Sequence, residues 1–169
     1  GYCHYHGSRK LERRRLMKVA GGNCLVKFVS TGAFNSRSLS EIFAEAITCG
    51  VHNIELSSDV AFSPTNIDDM RAHSENFSFL LHNYFPAPEM PFVLNLAAGD
   101  PDVLRASIDH CRNGLELTAE IGAPYYSAHA GLLSQPKVEE LGKPVTVSNP
   151  LPRGEGLRIF AESITTLTI

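Results

Sequence analysis

Cysteine is scarce in this sequence, and its four residues show no paired spacing. None of Cys3, Cys24, Cys49 and Cys111 belongs to a C-x-x-C motif of the kind that binds zinc or carries out redox chemistry. Cys49 and Cys111 fall at apolar helix positions, so both are predicted to pack as small hydrophobic side chains. We therefore expect free thiols in a reducing compartment, the cytoplasm.

Long apolar runs and phosphate-binding loops are also absent. No stretch of about 18 apolar residues occurs, so no membrane-spanning helix is predicted. The basic N-terminal residues are not followed by the apolar stretch and small-residue cleavage site of a signal peptide. Neither G-x-G-x-x-G after a strand nor G-x-x-x-x-G-K-[ST] is present, and a nucleotide-binding fold of either kind would lack its phosphate loop.

The composition that remains is that of an ordinary globular protein. The 169 residues are 43% hydrophobic and 20% charged, enough for one domain with a sizeable core. The net charge of −3 argues against a nucleic-acid partner for the chain as a whole. Basic side chains nevertheless crowd the first eighteen residues: Arg9, Lys10, Arg13, Arg14, Arg15 and Lys18. Residues 1–25 are predicted to be a disordered or non-native leader with Met17 as the natural start, phosphate contact being the alternative.

Strand and helix patterns alternate from residue 26 onward. The sequence predicts strands at 27–30, 51–57, 77–82 and 124–128, and helices at 38–50, 64–75, 100–122 and 154–167. Four strands joined by helices imply a parallel sheet with right-handed crossovers. Two architectures use that pattern, an open doubly wound sheet and a (β/α)₈ barrel. The connection over 83–99 is long enough to be functional.

Local signals predict where these helices begin and end. Ser38 and Glu41 have the spacing of a capping box, in which each side chain binds the other residue's backbone N–H. Asp100 precedes a proline and is predicted to be the N-cap of the third helix. Gly50 and Gly122 are predicted to close the first and third helices in the left-handed conformation.

Three side chains at strand ends are the candidates for chemistry. Glu55 lies near the end of the second strand, His82 ends the third, and His129 ends the fourth. Ligands bind at the carboxyl edge of parallel sheets, so these side chains are expected to point toward one crevice. Adjacent strands lie about 4.8 Å apart, so the two imidazoles can share one metal ion or one substrate oxygen. Glu55 either takes part directly or orients a neighbour.

The other histidines and Cys111 are assigned structural roles. His52 precedes its strand, His73 lies in an exposed helix, and His110 lies within the third helix. All three are predicted to be structural or solvent-facing. Cys111 lies mid-helix and not at a strand end, so it is not predicted to be a nucleophile.

Five segments carry a resemblance to a known family. They resemble the xylose isomerase-like superfamily, closest to its sugar phosphate isomerase/epimerase branch and similar in the same places to its endonuclease IV branch. The similarity covers roughly residues 26 to 168. The segments are Ile54-Glu55-Leu56-Ser57, Leu80 to Pro86, Phe92 to Ala97, Ser107 to Cys111, and Tyr125 to Gly131.

The resemblance implies a (β/α)₈ barrel with one to three divalent metals at its C-terminal mouth. In the repair nucleases, the histidines that match His82 and His129 bind zinc. In the sugar enzymes, histidines in this region more often contact substrate or support the metal site. The principal metal ligands of the family are a Glu, an Asp, a His and a Glu from strands five to eight. Residues 26–169 are expected to cover only the first four β/α units, so these ligands cannot be assigned.

The leading expectation is therefore a metal-dependent sugar or sugar-phosphate isomerase or epimerase. A divalent metal (Zn, Mn, Mg or Co) would polarise substrate oxygens, and a carboxylate would move the proton. The alternatives are an endonuclease IV-like nuclease for abasic DNA and a non-catalytic barrel used for binding. The half barrel ending at Ile169 is expected to be inactive alone and to form homo-oligomers through its open edges.

Overall fold

The computed structural model describes residues 26–140 and 150–168 of the chain. Within these residues, four β-strands alternate with four α-helices and two short 3₁₀ turns. The strands are β1 (Val29–Ser30), β2 (Asn53–Leu56), β3 (Ser78–His82) and β4 (Tyr126–Ser127). The helices are α1 (Leu39–Thr48), α2 (Asn66–Ala72), α3 (Pro101–Glu120) and α4 (Arg153–Leu167). The predicted leader at 1–25, with Met17, lies outside the described residues.

The four strands form one parallel sheet in the order β1-β2-β3-β4. Glu55 pairs with Ser30 on one side and with Leu80 on the other. His82 at the end of β3 pairs with Ser127. Each described strand thus lies beside its neighbours in sequence, and the described sheet lacks the reversal of strand order that marks a doubly wound fold. The predicted parallel α/β sheet is confirmed.

The two faces of the sheet have different environments. Side chains alternate between faces along a strand, so Ile54 and Leu56 point to one face and Glu55 to the other. Ile54, Leu56 and Leu81 are completely buried, in one hydrophobic cluster with residues of α1, α2 and α3. Burial of each such side chain stabilises the fold by about 1.5–3 kcal/mol. The first three helices therefore cover the same face of the sheet.

A second, smaller cluster joins the long loop after β3 to α3 and α4. Leu94 and Leu96 of that loop are buried with Cys111 of α3, and Phe160 of α4 packs against them. Ser163 of α4 donates a hydrogen bond to the carbonyl of Leu96 over 2.8 Å. The loop is thus fixed to both helices rather than lying free on the surface.

Both glycine signals at helix ends are confirmed. Gly50 and Gly122 have φ of 68° and 67°, the left-handed conformation that side chains with a Cβ disfavour. Val51 donates its N–H to the carbonyl of Ala46, and Ala123 does the same to Thr118. This six-to-one bond is the Schellman pattern of helix termination.

The N-terminal signals were correct for α3, whereas for α1 only the N-cap position was correct. Asp100 Oδ1 accepts hydrogen bonds from Asp102 N and Val103 N, so it is the predicted N-cap. Ser38 stands at the N-cap position of α1 but its side chain forms no cap bond. Ser36 donates to Glu41 instead, so the predicted capping box does not form.

Two further expectations need correction. Strands β1 and β4 contain two residues each, fewer than the predicted 27–30 and 124–128, because parallel pairing is lost beyond them. Cys111 is buried as predicted, whereas Cys49 is exposed. Cys49 is the C-cap residue of α1 and lies past the last turn that packs on the sheet.

None of the described helices combines the length and the apolar character that crossing a bilayer requires.

Candidate active site

His82 and His129 lie side by side at the carboxyl edge of the sheet. His82 is the last residue of β3, and His129 follows the end of β4 by two residues. Their ring centroids are 5.4 Å apart, with the ring planes at 79°. His82 is partly buried and His129 is exposed. The structure thus brings together the two imidazoles that the strand-end pattern selected.

Ser127 is a third member of this site, and it was not predicted from the sequence. Its Oγ lies 2.8 Å from Nδ1 of His82, its partner in the β3–β4 register. When Nδ1 donates this hydrogen bond, Nε2 of His82 keeps a lone pair, which is the state that binds a metal or accepts a proton. The available sequence signal was spacing: residue 127 precedes His129 by two, and side chains two residues apart in a predicted strand point to the same face.

Asn83 connects the ends of the two histidine-bearing strands. It is almost fully buried and has a φ of 48°, unusual for a residue with a Cβ. Its N–H donates to the carbonyl of Ser127 over 2.7 Å. Its side-chain Oδ1 accepts from the backbone N–H of His129 over 3.2 Å. One residue therefore binds both β4 and the backbone that carries the second imidazole.

The carbonyl of Asn83 is bound from the helix side of the sheet. Nε2 of His110, on α3, lies 2.9 Å from this oxygen, and the Tyr126 hydroxyl also donates to it. His110 is buried, which agrees with its predicted structural role. Burial lowers the pKa of His110 and raises the pKa of Tyr126. Both groups are therefore neutral at pH 7 and act here as hydrogen-bond donors.

Asn95 holds together the loops that follow β3 and β4. Its amide nitrogen donates to the carbonyls of Leu132 and Ser134, and its Oδ1 accepts from the N–H of Leu132. A Cβ added at Gly131 would lie 2.2 Å from Oδ1 of Asn95. Glycine at 131 therefore lets the second loop approach closely enough for this link.

Glu55 is not in contact with the two imidazoles. It pairs with Leu80, two residues before His82 along β3, which places it roughly 7 Å lower along the strand direction at about 3.3 Å per residue. It shares the face of the sheet that carries His82 but forms no hydrogen bond or ion pair with another described residue. Its side chain is partly exposed. The structure therefore places Glu55 in a layer below the histidine pair.

The histidine pair fits part of a metal site. Two imidazoles on one tetrahedral zinc, with Zn–N about 2.1 Å, have ring centroids roughly 5 Å apart, close to the 5.4 Å found for His82 and His129. Among residues 26–140 and 150–168, however, no three His, Cys, Asp or Glu side chains come close enough to hold an ion. Catalytic zinc sites use three protein ligands. The described residues thus offer two donors of such a site.

A separate cavity of about 330 Å³ opens beside the start of α1. None of the three candidate residues lines it. Its walls are mostly hydroxyl-bearing and polar side chains from the loops after β1 and β2 and from the starts of α1 and α2, among them Arg37, Ser40, Ser63 and Thr65. The cavity and the histidine pair are therefore distinct features of the molecule.

No protein-family model matches the chain, and a search of curated proteins gives no match either.

Proposed function

We propose that the described strands and helices are the first four units of a (β/α)₈ barrel, in a divalent-metal-dependent sugar or sugar-phosphate isomerase or epimerase. The observation that carries this proposal is the pairing of His82 and His129, with ring centroids 5.4 Å apart at the carboxyl edge of the sheet. Barrel enzymes place their active sites at that edge.

The barrel part of the proposal is supported by strand order and by the side on which the helices pack. The strands follow one another in sequence order, and residues of α1, α2 and α3 share one cluster with Ile54, Leu56 and Leu81. A barrel needs both features, since its helices form an outer ring around sequential strands. The face opposite the helices carries Glu55 and His82, which would line the interior of the closed barrel.

The two imidazoles would act on the substrate as a pair. Ser127 orients His82 by binding Nδ1, so that Nε2 can bind a metal or accept a hydrogen bond from a substrate hydroxyl. Asn83 fixes the backbone of His129, so that the second ring can bind the same metal ion or substrate oxygen as His82. A bound divalent metal would polarise the carbonyl and hydroxyl oxygens of the sugar. The resemblance assigns the proton-transferring carboxylate to strands five to eight, and Glu55 lies in the layer below the two imidazoles.

The test uses the 169-residue chain, NMR signals of the histidine rings, and two probes. Zn²⁺ is titrated first, followed by fructose 6-phosphate. We expect Zn²⁺ to shift the ring signals of His82 and His129 together, and the sugar phosphate to perturb them further. His82→Ala and His129→Ala should each abolish the Zn²⁺ response. His52→Ala, an exposed histidine before β2, is the matched control and should leave it unchanged.

This titration, together with a DNA-cleavage assay, separates the candidate functions. Zn²⁺ and sugar-phosphate responses that persist in the His82→Ala/His129→Ala double variant would remove the pair from the site. The endonuclease IV-like alternative predicts that the protein cleaves abasic-site DNA with a steep salt dependence. Its one sequence hint, the basic leader, lies outside the described residues. A non-catalytic binding barrel predicts no response to any divalent metal.

A further inference from the structure

We propose that His110, a buried residue of α3, is a positioning residue that sets the relative placement of His82 and His129 through Asn83. The inference deepens the proposed function, because it names what holds the two imidazoles together. It concerns the geometry of the free protein and can be tested without any ligand.

A short series of hydrogen bonds connects His110 to the site. Nε2 of His110 lies 2.9 Å from the carbonyl oxygen of Asn83. The N–H of the same asparagine donates to Ser127 O over 2.7 Å, and its Oδ1 accepts from His129 N over 3.2 Å. Because Asn83 directly follows His82, every movement of its backbone also moves the first imidazole. Both rings of the pair thus depend on how Asn83 is held.

The conformation of Asn83 explains why it needs to be held from several sides. Its φ of 48° lies in the left-handed region, which asparagine tolerates better than most residues but which still costs energy. Such a conformation persists where surrounding contacts over-determine it. His110 and Tyr126 bind the carbonyl from the helix side. Ser127 of β4 binds the N–H, and the N–H of His129, just past β4, binds the side chain.

The surroundings of His110 indicate that its hydrogen bond has more than a packing role. The ring lies edge-on to Phe92, with centroids 5.7 Å apart, and 5.9 Å from the ring of Tyr84. A phenylalanine would fill this apolar space equally well. Burying the polar ring of a histidine there costs free energy unless a hydrogen bond compensates for the lost hydration. The carbonyl of Asn83 can only accept, so Nε2 of His110 must carry the hydrogen.

The experiment compares three variants of the 169-residue chain. His110→Phe keeps the ring volume and removes the donor, and His110→Gln returns an N–H donor at a similar reach. His73→Phe is the matched control, since His73 also packs on phenylalanine and contacts a backbone carbonyl, that of Asp69, but is the C-cap residue of α2. The readouts are hydrogen exchange of the His129 amide, nuclear Overhauser contacts between the rings of His82 and His129, and Zn²⁺ affinity.

His110→Phe should speed exchange of the His129 amide about three- to tenfold, the effect of losing one buried hydrogen bond. It should also weaken the ring-to-ring contacts and lower the Zn²⁺ affinity by a similar factor. His110→Gln should restore all three readouts toward wild type. His73→Phe should lower the melting temperature without changing them. A role limited to general stability predicts equal effects of His110→Phe and His73→Phe, and that result would overturn the proposal.

Two features keep this test separate from that of the proposed function. Amide exchange and ring contacts are measured without metal, so they test the role of His110 even if the chain binds no Zn²⁺. A failure to bind Zn²⁺ would count against the metal site alone. If His110→Phe fails to fold, the ring nitrogens of wild-type His110 are observed directly by ¹⁵N NMR. The proposal requires the hydrogen on Nε2, and a neutral ring with its hydrogen on Nδ1 would contradict it.

Discussion

Nδ1 of His82 and Oγ of Ser127 lie 2.8 Å apart, across strands that pair in register at these two residues. The hydroxyl thus reaches one ring nitrogen of the imidazole and leaves the other for a ligand. A partner on the far nitrogen of a metal-binding histidine fixes its tautomer and ring orientation. Ser127 therefore contributes to the proposed site without having to touch the ligand.

Replacing Ser127 with alanine should weaken Zn²⁺ binding by roughly 10- to 100-fold, because His82 loses the partner that orients it. Ser127→Thr keeps the hydroxyl and should remain near wild type. Isothermal titration calorimetry measures both affinities. Equal affinity of the alanine variant and the wild type would show that the hydrogen bond has no part in ligand binding.

Replacing Gly131 with alanine should destabilise the chain by more than about 2 kcal/mol. The new Cβ would lie 2.2 Å from Oδ1 of Asn95, at a φ of 129°. Gly50→Ala is the control, since Gly50 also has a positive φ but has no atom within 4 Å of the added Cβ. That variant should lose only about 1–2 kcal/mol from backbone strain. Urea unfolding compares the two, and a smaller loss at Gly131 would contradict the close approach of the loops.

Replacing Asp100 with alanine should reduce the free energy of unfolding by about 1 kcal/mol, because its carboxylate caps two N–H groups of α3. Ser38→Ala is its counterpart at α1. The Ser38 side chain forms no cap bond, so this variant should stay close to wild type. Thermal unfolding of both variants checks the difference, and equal losses would mean that Ser38 does cap α1 in solution.

The free energy of unfolding should decrease as the pH is lowered below about 6.5, partly because of His110. Burial lowers the pKa of this residue in the folded state from its ordinary value of 6.5. Below that value the unfolded chain takes up a proton at His110 before the folded chain does, so acid favours unfolding. The contribution is fully present above pH 6.5 and is lost as the pH drops toward the folded-state pKa. His110→Gln should show a flatter profile between pH 7.5 and 5.5, measured by urea denaturation, and an unchanged slope would oppose it.

The sheet as described has open edges, and we predict that the 169-residue chain self-associates. No described strand pairs with the outer side of β1 or β4, and unpaired parallel edges are templates for further strands. Multi-angle light scattering should give a mass above that of one 18.5 kDa chain. A stable monomer at 100 μM would contradict this expectation.

Features set by local chemistry could be predicted from the sequence. The left-handed glycines at 50 and 122 and the carboxylate of Asp100 act within one helical turn, so spacing alone reveals them. The capping box at Ser38 was wrong because Ser36, two residues upstream, competes for Glu41. Local patterns thus select candidate partners but do not decide among neighbours that can bind the same group.

Contacts between distant segments set most of the candidate site and were harder to predict. The strand-end rule selected His82 and His129, because parallel strands bring their carboxyl ends to one edge. It did not reveal that Glu55 lies one layer below the histidine pair, because that position depends on the register between β2 and β3. The bond from His110 to Asn83 joins residues 27 positions apart, and no pattern in one sequence indicates that a mid-helix imidazole reaches a strand end.

The sequential strand order also bears on how the chain acquires its structure. Each described strand after the first pairs with the strand that precedes it in the chain, so the sheet can be built by adding each unit to the edge left by the unit before it. Pairings of this kind join segments only moderately far apart along the chain, which keeps the entropy cost of each closure small. Such an arrangement can also be lengthened one strand and one helix at a time, without disturbing the units already in place.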